Sequence, residues 1–228
     1  MKEKRFKNKV RKAELLSQKV YKILKEDIIK HKIPSNCRLK ESKLALDLGV
    51  SRSPVREALR KLASEGFVTI IPNKGAIVNE ISIQDVINIY QIRGALSGLA
   101  ASLSCEKITK KELDKLDEIL NKMEECLKNN DSYNFSILDE EFDNLILKSS
   151  RNNKLIDILS KLNDHIRMVR FESLSVPGRM EKAFNELKNI FNSIKRGIGE
   201  KAEKLFKDHS KNALENILNS RLKQEIKK

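Results

Sequence analysis

The sequence predicts a mostly α protein, with three helices and a β-hairpin followed by an all-α antiparallel helical bundle. Three observations predict it. The 228 residues contain only 8 Gly, 4 Pro and no Trp, too few turn formers for an all-β chain. Apolar residues recur at helical spacing along most of the chain, and β-rich runs are confined to 67–78. Hydrophobic content of 39% beside 34% charged residues supports a buried core in one large domain or two small ones.

The first helix is predicted over 13–31, where Leu16, Val20, Ile23, Leu24 and Ile28 share a face and Pro34 follows. A short second helix over 41–48 stops at Gly49, and Gly49, Val50 and Ser51 make a tight turn. In the third helix Ser53 is the expected N-cap and Pro54 the first helical residue, with Val55, Leu59 and Leu62 as its buried stripe and Gly66 just past its end. FVTII and AIV around PNKG then read as a hairpin. Helix, helix, turn, helix, hairpin is the order of a winged helix-turn-helix. Beyond Glu80, capped helices are predicted over 82–104, 109–128, 132–149, 153–172, 179–195 and 200–226, the VPG at 176–178 breaking the chain. The resulting segments are a basic arm (1–13), a winged helix-turn-helix (14–80) and a helical domain (81–228).

Charge separates the two parts. Residues 1–80 hold 20 Lys and Arg against 9 Asp and Glu, and the remainder 26 against 23, so most of the net +14 belongs to the first third. That asymmetry points to a polyanion partner there. Cys37, Cys105 and Cys126 are odd in number and show no CxxC spacing, which fits a reduced, cytoplasmic setting. The basic start MKEKRFKNKVRK is followed by no apolar run of signal or membrane length, so no membrane association is expected.

The segment VSRSPVREALRKLASEGFV carries the sharpest signal. A recognition helix enters the major groove N-terminus first, and Arg52 and Arg56 are placed to reach base edges there, where one arginine fork can take G O6 and N7 together. Ser51 and Ser53 can donate to phosphate, and Lys74 and Gly75 at the hairpin tip can approach the minor groove or backbone. With ESKLALDLGV before it and IIPNKGAIV after it, the segment closely resembles the GntR family of bacterial transcription regulators, whose pattern is VSRTPVREAL. The resemblance implies a double-stranded DNA operator, an inverted repeat read by a homodimer, and repression as the more common outcome. Ser42 stands where many relatives carry a contacting Arg, and His31 where a Gly is usual after the first helix.

IYQIRGAL, LDEEFDNLILKSSRNNKLIDIL and KDHSKNAL are similar to the FCD effector domain of the FadR-like branch of that family. The resemblance implies a small organic-acid or sugar-acid effector and, in many members, a metal held by a DxxFH motif and two later histidines. Here the motif falls on Asp139 to Asp143, so Asp143 replaces a histidine; His209 matches the last histidine, and Leu187 occupies the other position. Asp139 and Asp143 lie one above the other on a helix, beside the apolar stripe of Phe135, Leu138, Phe142 and Leu145. Asp139, Asp143 and His209 can serve a divalent Zn, Ni or Mn ion, although the loss of a nitrogen ligand at Leu187 weakens the set. Equally, Asp139 can pair with His209 in a metal-free pocket. Arg93 and Arg167 are the guanidinium groups expected to hold an anionic effector.

Two other classes remain open on sequence. Charge and the basic arm alone fit a non-specific nucleic-acid or nucleoid protein. A metal-dependent hydrolase on Asp139, Asp143 and His209 lacks a nucleophile, a second metal cluster and a general base, so no catalytic residue and no enzyme activity is expected.

Overall fold

The structure of the protein, a computed structural model, describes residues 2–72 and 74–225, with side chains described from residue 15 to 222 except at 73. The expected basic arm over 1–13 therefore falls outside the described side chains, as does Ile226 at the end of the last helix. The described residues divide into two compact units, 1–81 and 82–228.

In the first unit, helix α1 (Lys2–Ile29) is followed by strand β1 (Arg38–Leu39), helices α2 (Glu41–Asp47) and α3 (Arg52–Ser64), and strands β2 (Val68–Ile71) and β3 (Gly75–Val78). Val20, Leu24 and Ile28 of α1 pack with Val55, Leu59 and Leu62 of α3 in one buried layer, whereas Ile23 lies outside it at 47% exposure. Tyr21, Lys25 and Glu65 clamp α1 to the end of α3, the Lys25 ammonium lying 2.7 Å from Glu65. His31, in the expected glycine position, takes a left-handed φ of 53°, a conformation that disfavours a side chain.

Strand β1 was not predicted. It pairs antiparallel with β3, Leu39 opposite Ala76, and makes the sheet three-stranded in the order β1-β3-β2. Two residues are too short to show a period of two. At Gly75 the fold leaves no room for a side chain: φ is +92° and a Cβ would lie 2.1 Å from the Leu39 carbonyl oxygen.

The second unit contains, among the described residues, the helices α4 (Ile83–Lys107), α5 (Lys110–Lys128), α6 (Ser132–Ser149), α7 (Asn153–Leu174), α8 (Arg179–Lys195) and α9 (Gly199–Glu225). Local chemistry sets their starts. Ser82 accepts from the Asp85 N–H, Thr109 and Glu112 form a reciprocal capping box, and Asp131 and Asn152 cap α6 and α7. Phe135, Phe142, Leu187, Ile190 and Phe206 fill the core of the bundle. Helix α4 packs closely along α9 because Gly98 removes a side chain where a Cβ would lie 3.1 Å from the Glu203 carbonyl oxygen.

Candidate nucleic-acid interface and the core of the helical unit

Gly49, at φ 64°, turns the chain between α2 and α3, and the Val50 N–H closes the turn on the Ala45 carbonyl at 2.9 Å. The residue at the N-cap of α3 is Ser51, not Ser53, and Pro54 is the third helical residue rather than the first. Proline fits there because none of the first N–H groups of a helix has an intrahelical partner. It also removes an N–H that an N-cap hydroxyl would otherwise accept from, and Ser51 makes no side-chain capping bond. The exposed hydroxyls of Ser51 and Ser53 thus stand beside the helix N-terminus, where N–H groups and the helix dipole favour phosphate.

One face of α3 presents Arg52, Arg56 and Arg60, four residues apart and all exposed. Opposite them stand β1 and the β2–β3 turn, enclosing a cleft of about 700 Å³ that Arg38, Lys40, Ser42, Lys74 and Gly75 also line. Six basic side chains face a single acidic one, Glu41. Such a cleft concentrates positive potential at one mouth. Arg38 is tied to the turn by an Nε–H bond to the Lys74 carbonyl at 3.1 Å. No periodicity in the sequence singles out Arg38, which lies in a strand too short to recognise, or Lys40, which follows it at the N-cap of α2.

Arg56 is not unpartnered. Its Nε lies 3.1 Å from each Glu41 carboxylate oxygen and its Nη2 2.8 Å from Oε2, so two of its three nitrogens are engaged. The hydrogen bond from Arg56 holds the Glu41 carboxyl below its ordinary range. The guanidinium is thereby fixed in orientation while remaining half exposed.

In the helical unit, Arg93, Asp139, Asp143 and His209 do converge. The partners differ from those expected. Arg93 Nη2 lies 2.6 Å from Asp143 Oδ2, and Arg170 Nη2 reaches the same oxygen at 2.7 Å. Arg170 also places Nε 3.2 Å from Asp139 Oδ2, so one guanidinium spans both carboxylates of α6. Arg167 stays outside this cluster, 3.0 Å from Glu140 and 3.5 Å from Asp164. The helical period decides between the two arginines: Arg170 lies on the buried face with Ile166, Val169 and Ser173, and Arg167 does not. An arginine inside an apolar stripe was a readable signal.

His209 Nε2 is 3.9 Å from Asp139 Oδ1, too far for a hydrogen bond. Its Nδ1 instead lies 2.7 Å from Glu186 Oε2, and since a carboxylate only accepts, Nδ1 carries the proton. Glu186 also receives both Nη groups of Arg179, at 3.0 and 2.8 Å, and the Asn212 amide at 2.8 Å. Burial alone would raise the Glu186 carboxyl, but the bonds from His209 and Arg179 outweigh it and bring it down to about 2. Burial opposes ionisation of Asp143 too, and Arg93 and Arg170 again prevail and lower it. Three guanidiniums and three carboxylates therefore balance. The cavity beside Arg93, Asp143 and Arg170 is about 30 Å³, room for roughly one water.

This arrangement does not fit a divalent metal. Among the described residues no three His, Cys, Asp or Glu side chains are grouped to hold one. Leu187, fully buried in the apolar core, offers no ligand, and Asp143 Oδ2 is taken by two guanidiniums. Arg170 already stands 3.2 Å from Asp139, and a divalent ion about 5 Å from a guanidinium is repelled by on the order of 7 kcal/mol at an effective dielectric of about 20.

Residues 16–78 match the family model for bacterial regulatory proteins of the gntR family, and residues 88–212 match that for the FCD domain. The chain is 31% identical over 184 residues to the HTH-type transcriptional regulator YdhC of Bacillus subtilis, covering 80% of this chain and 82% of that one. It is 28% identical over 205 residues to the HTH-type transcriptional repressor RspR of Escherichia coli, covering 89% of each. The solved structure of E. coli McbR/YncC superimposes with a TM-score of 0.76 at 22% identity, over 92% of this chain and 98% of that one, which speaks for the fold. No helix among the described residues is long and apolar enough to cross a membrane. The chain belongs to the GntR family of bacterial DNA-binding transcription regulators, with an FCD domain following its winged helix-turn-helix in the sequence.

Proposed function

We propose that this protein is a cytoplasmic, homodimeric repressor that reads an inverted repeat in duplex DNA through the cleft between α3 and the wing. The observation that carries the reading is the cleft lined by six basic side chains and one acidic, Glu41, with Arg56 held in a fixed orientation within it. Arg52 and Arg56 read base edges; Ser51, Ser53, Lys74 and the backbone at Gly75 set the register on phosphate. Arg38 supplies a cation on the wing side, in the absence of an arginine at Ser42. Repression is supported by the similarity to RspR, and a homodimer by the two half-sites of an inverted repeat.

The helical unit responds to a small organic or sugar acid. Arg93 and Arg170 already hold one carboxylate, that of Asp143, and an acid effector binds by taking its place and widening the small cavity beside it. Footprinting on the protein's own upstream region, repeated with a panel of such acids, tests both parts. Protection of two symmetric half-sites that an acid relieves supports the reading; uniform coverage without half-sites sinks it.

A further inference from the structure

We propose that the Arg170 guanidinium is the resident cation of the helical unit, occupying the electrostatic place of a divalent metal and making the unit metal-independent. Asp139 and Asp143 stand on one face of α6, one turn apart, and both are turned inward. Two inward carboxylates need a cation. Arg170, from α7, meets both, with Nε 3.2 Å from Asp139 and Nη2 2.7 Å from Asp143, and only 5% of its side chain is exposed.

The remaining groups are arranged around that choice. Arg93 shares Asp143 from α4, so a single carboxylate ties three helices together. His209 donates its Nδ1–H to Glu186, which leaves Nε2 as the acceptor nitrogen 3.9 Å from Asp139 Oδ1, and it is the Arg170 guanidinium that lies closer to that aspartate. Leu187, buried in the apolar core, brings no ligand. Arg170 hydrogen-bonds Asp143 through Nη2 and stands in ion-pair contact with Asp139 through Nε, and a guanidinium cannot lose its proton, whereas a metal ion can be stripped. The proposal concerns the effector-free state and does not depend on the reading of DNA.

Untagged full-length protein provides the first test, by elemental analysis and by thermal melting with EDTA or with added Mn²⁺, Ni²⁺ or Zn²⁺. Metal content below about a tenth of an equivalent and a Tm that moves by less than about 1 °C are expected. Near-stoichiometric metal, or destabilisation by EDTA, overturns the proposal. The second test is Arg170→Gln, which takes the cation from Asp139 and leaves Asp143 to Arg93 alone. Its Tm falls by roughly 5 °C or more, and one of the three metals restores part of the loss, a response that Asp139→Asn abolishes. A variant that responds to metal no more than the parent protein does contradicts the proposal. Should Arg170→Gln fail to fold, Arg170→Lys keeps the charge but loses the two-way reach. It is expected to melt below the parent, and a Lys variant as stable as the parent also contradicts it.

Discussion

Glu41 holds Arg56 by both carboxylate oxygens, the shortest contact being 2.8 Å from Nη2 to Oε2, and so places an anion in the middle of the basic cleft. A carboxylate there costs attraction for phosphate but fixes the arginine that the proposed reading turns towards the bases. Glu41→Gln should therefore raise affinity for scrambled DNA while narrowing the gap between scrambled DNA and operator. Arg56→Ala should weaken operator binding by about 1–3 kcal/mol and relax preference at one base pair per half-site. Fluorescence anisotropy with both DNAs separates these outcomes.

On the proposed reading Arg38 acts on DNA through charge rather than base readout. Arg38→Ala should weaken operator and scrambled DNA alike, and lower the slope of log K against log salt by about one unit. A loss confined to the operator would assign Arg38 a base contact instead.

The wing depends on Gly75. Alanine there would drive its Cβ against the Leu39 carbonyl at a backbone φ of +92°, so Gly75→Ala should destabilise the β1–β3 pairing by about 2 kcal/mol or more. Hydrogen exchange at Ala76 and Val78 should accelerate and DNA affinity should fall, while exchange in α5 and α8 stays unchanged.

The helical unit should be acid-sensitive. The Glu186 carboxyl drops from an ordinary 4.5 to about 2 on folding, so its stabilisation is complete above about pH 4.5 and is lost as pH falls towards 2. Asp143 is lowered as well and acts in the same direction. The Glu186 part is on the order of 3 kcal/mol. Glu186→Gln, which strips Arg179 and His209 of their shared anion, should lower stability at pH 7 and flatten the decline below pH 4.5 in urea titrations.

Elements governed by local chemistry were legible in the sequence. The capping box at Thr109 and Glu112, the start of α6 at Ser132 and the break before Arg179 could be read because the residues that decide them are neighbours. Strand β1 could not, since its partner β3 lies 37 residues away in the pairing of Leu39 with Ala76. The same distance effect governs the sites. Asp139, Asp143, His209 and Arg93 were chosen by motif and do meet, but Glu186 as the partner of His209 and Arg170 as the bridge between the aspartates are tertiary facts. Arg167, expected to hold an effector, faces Glu140 and Asp164 instead, and the apolar stripe around Arg170 was the signal that separates the two arginines.

The most direct measurement is a competition titration of the full-length protein on its own upstream inverted repeat against a scrambled duplex of equal composition, at fixed salt. The repeat should bind at least about 10³-fold more tightly, and Arg52→Ala with Arg56→Ala should bring the two affinities together while salt-dependent binding persists. Equal affinity of the unaltered protein for both duplexes would contradict the account.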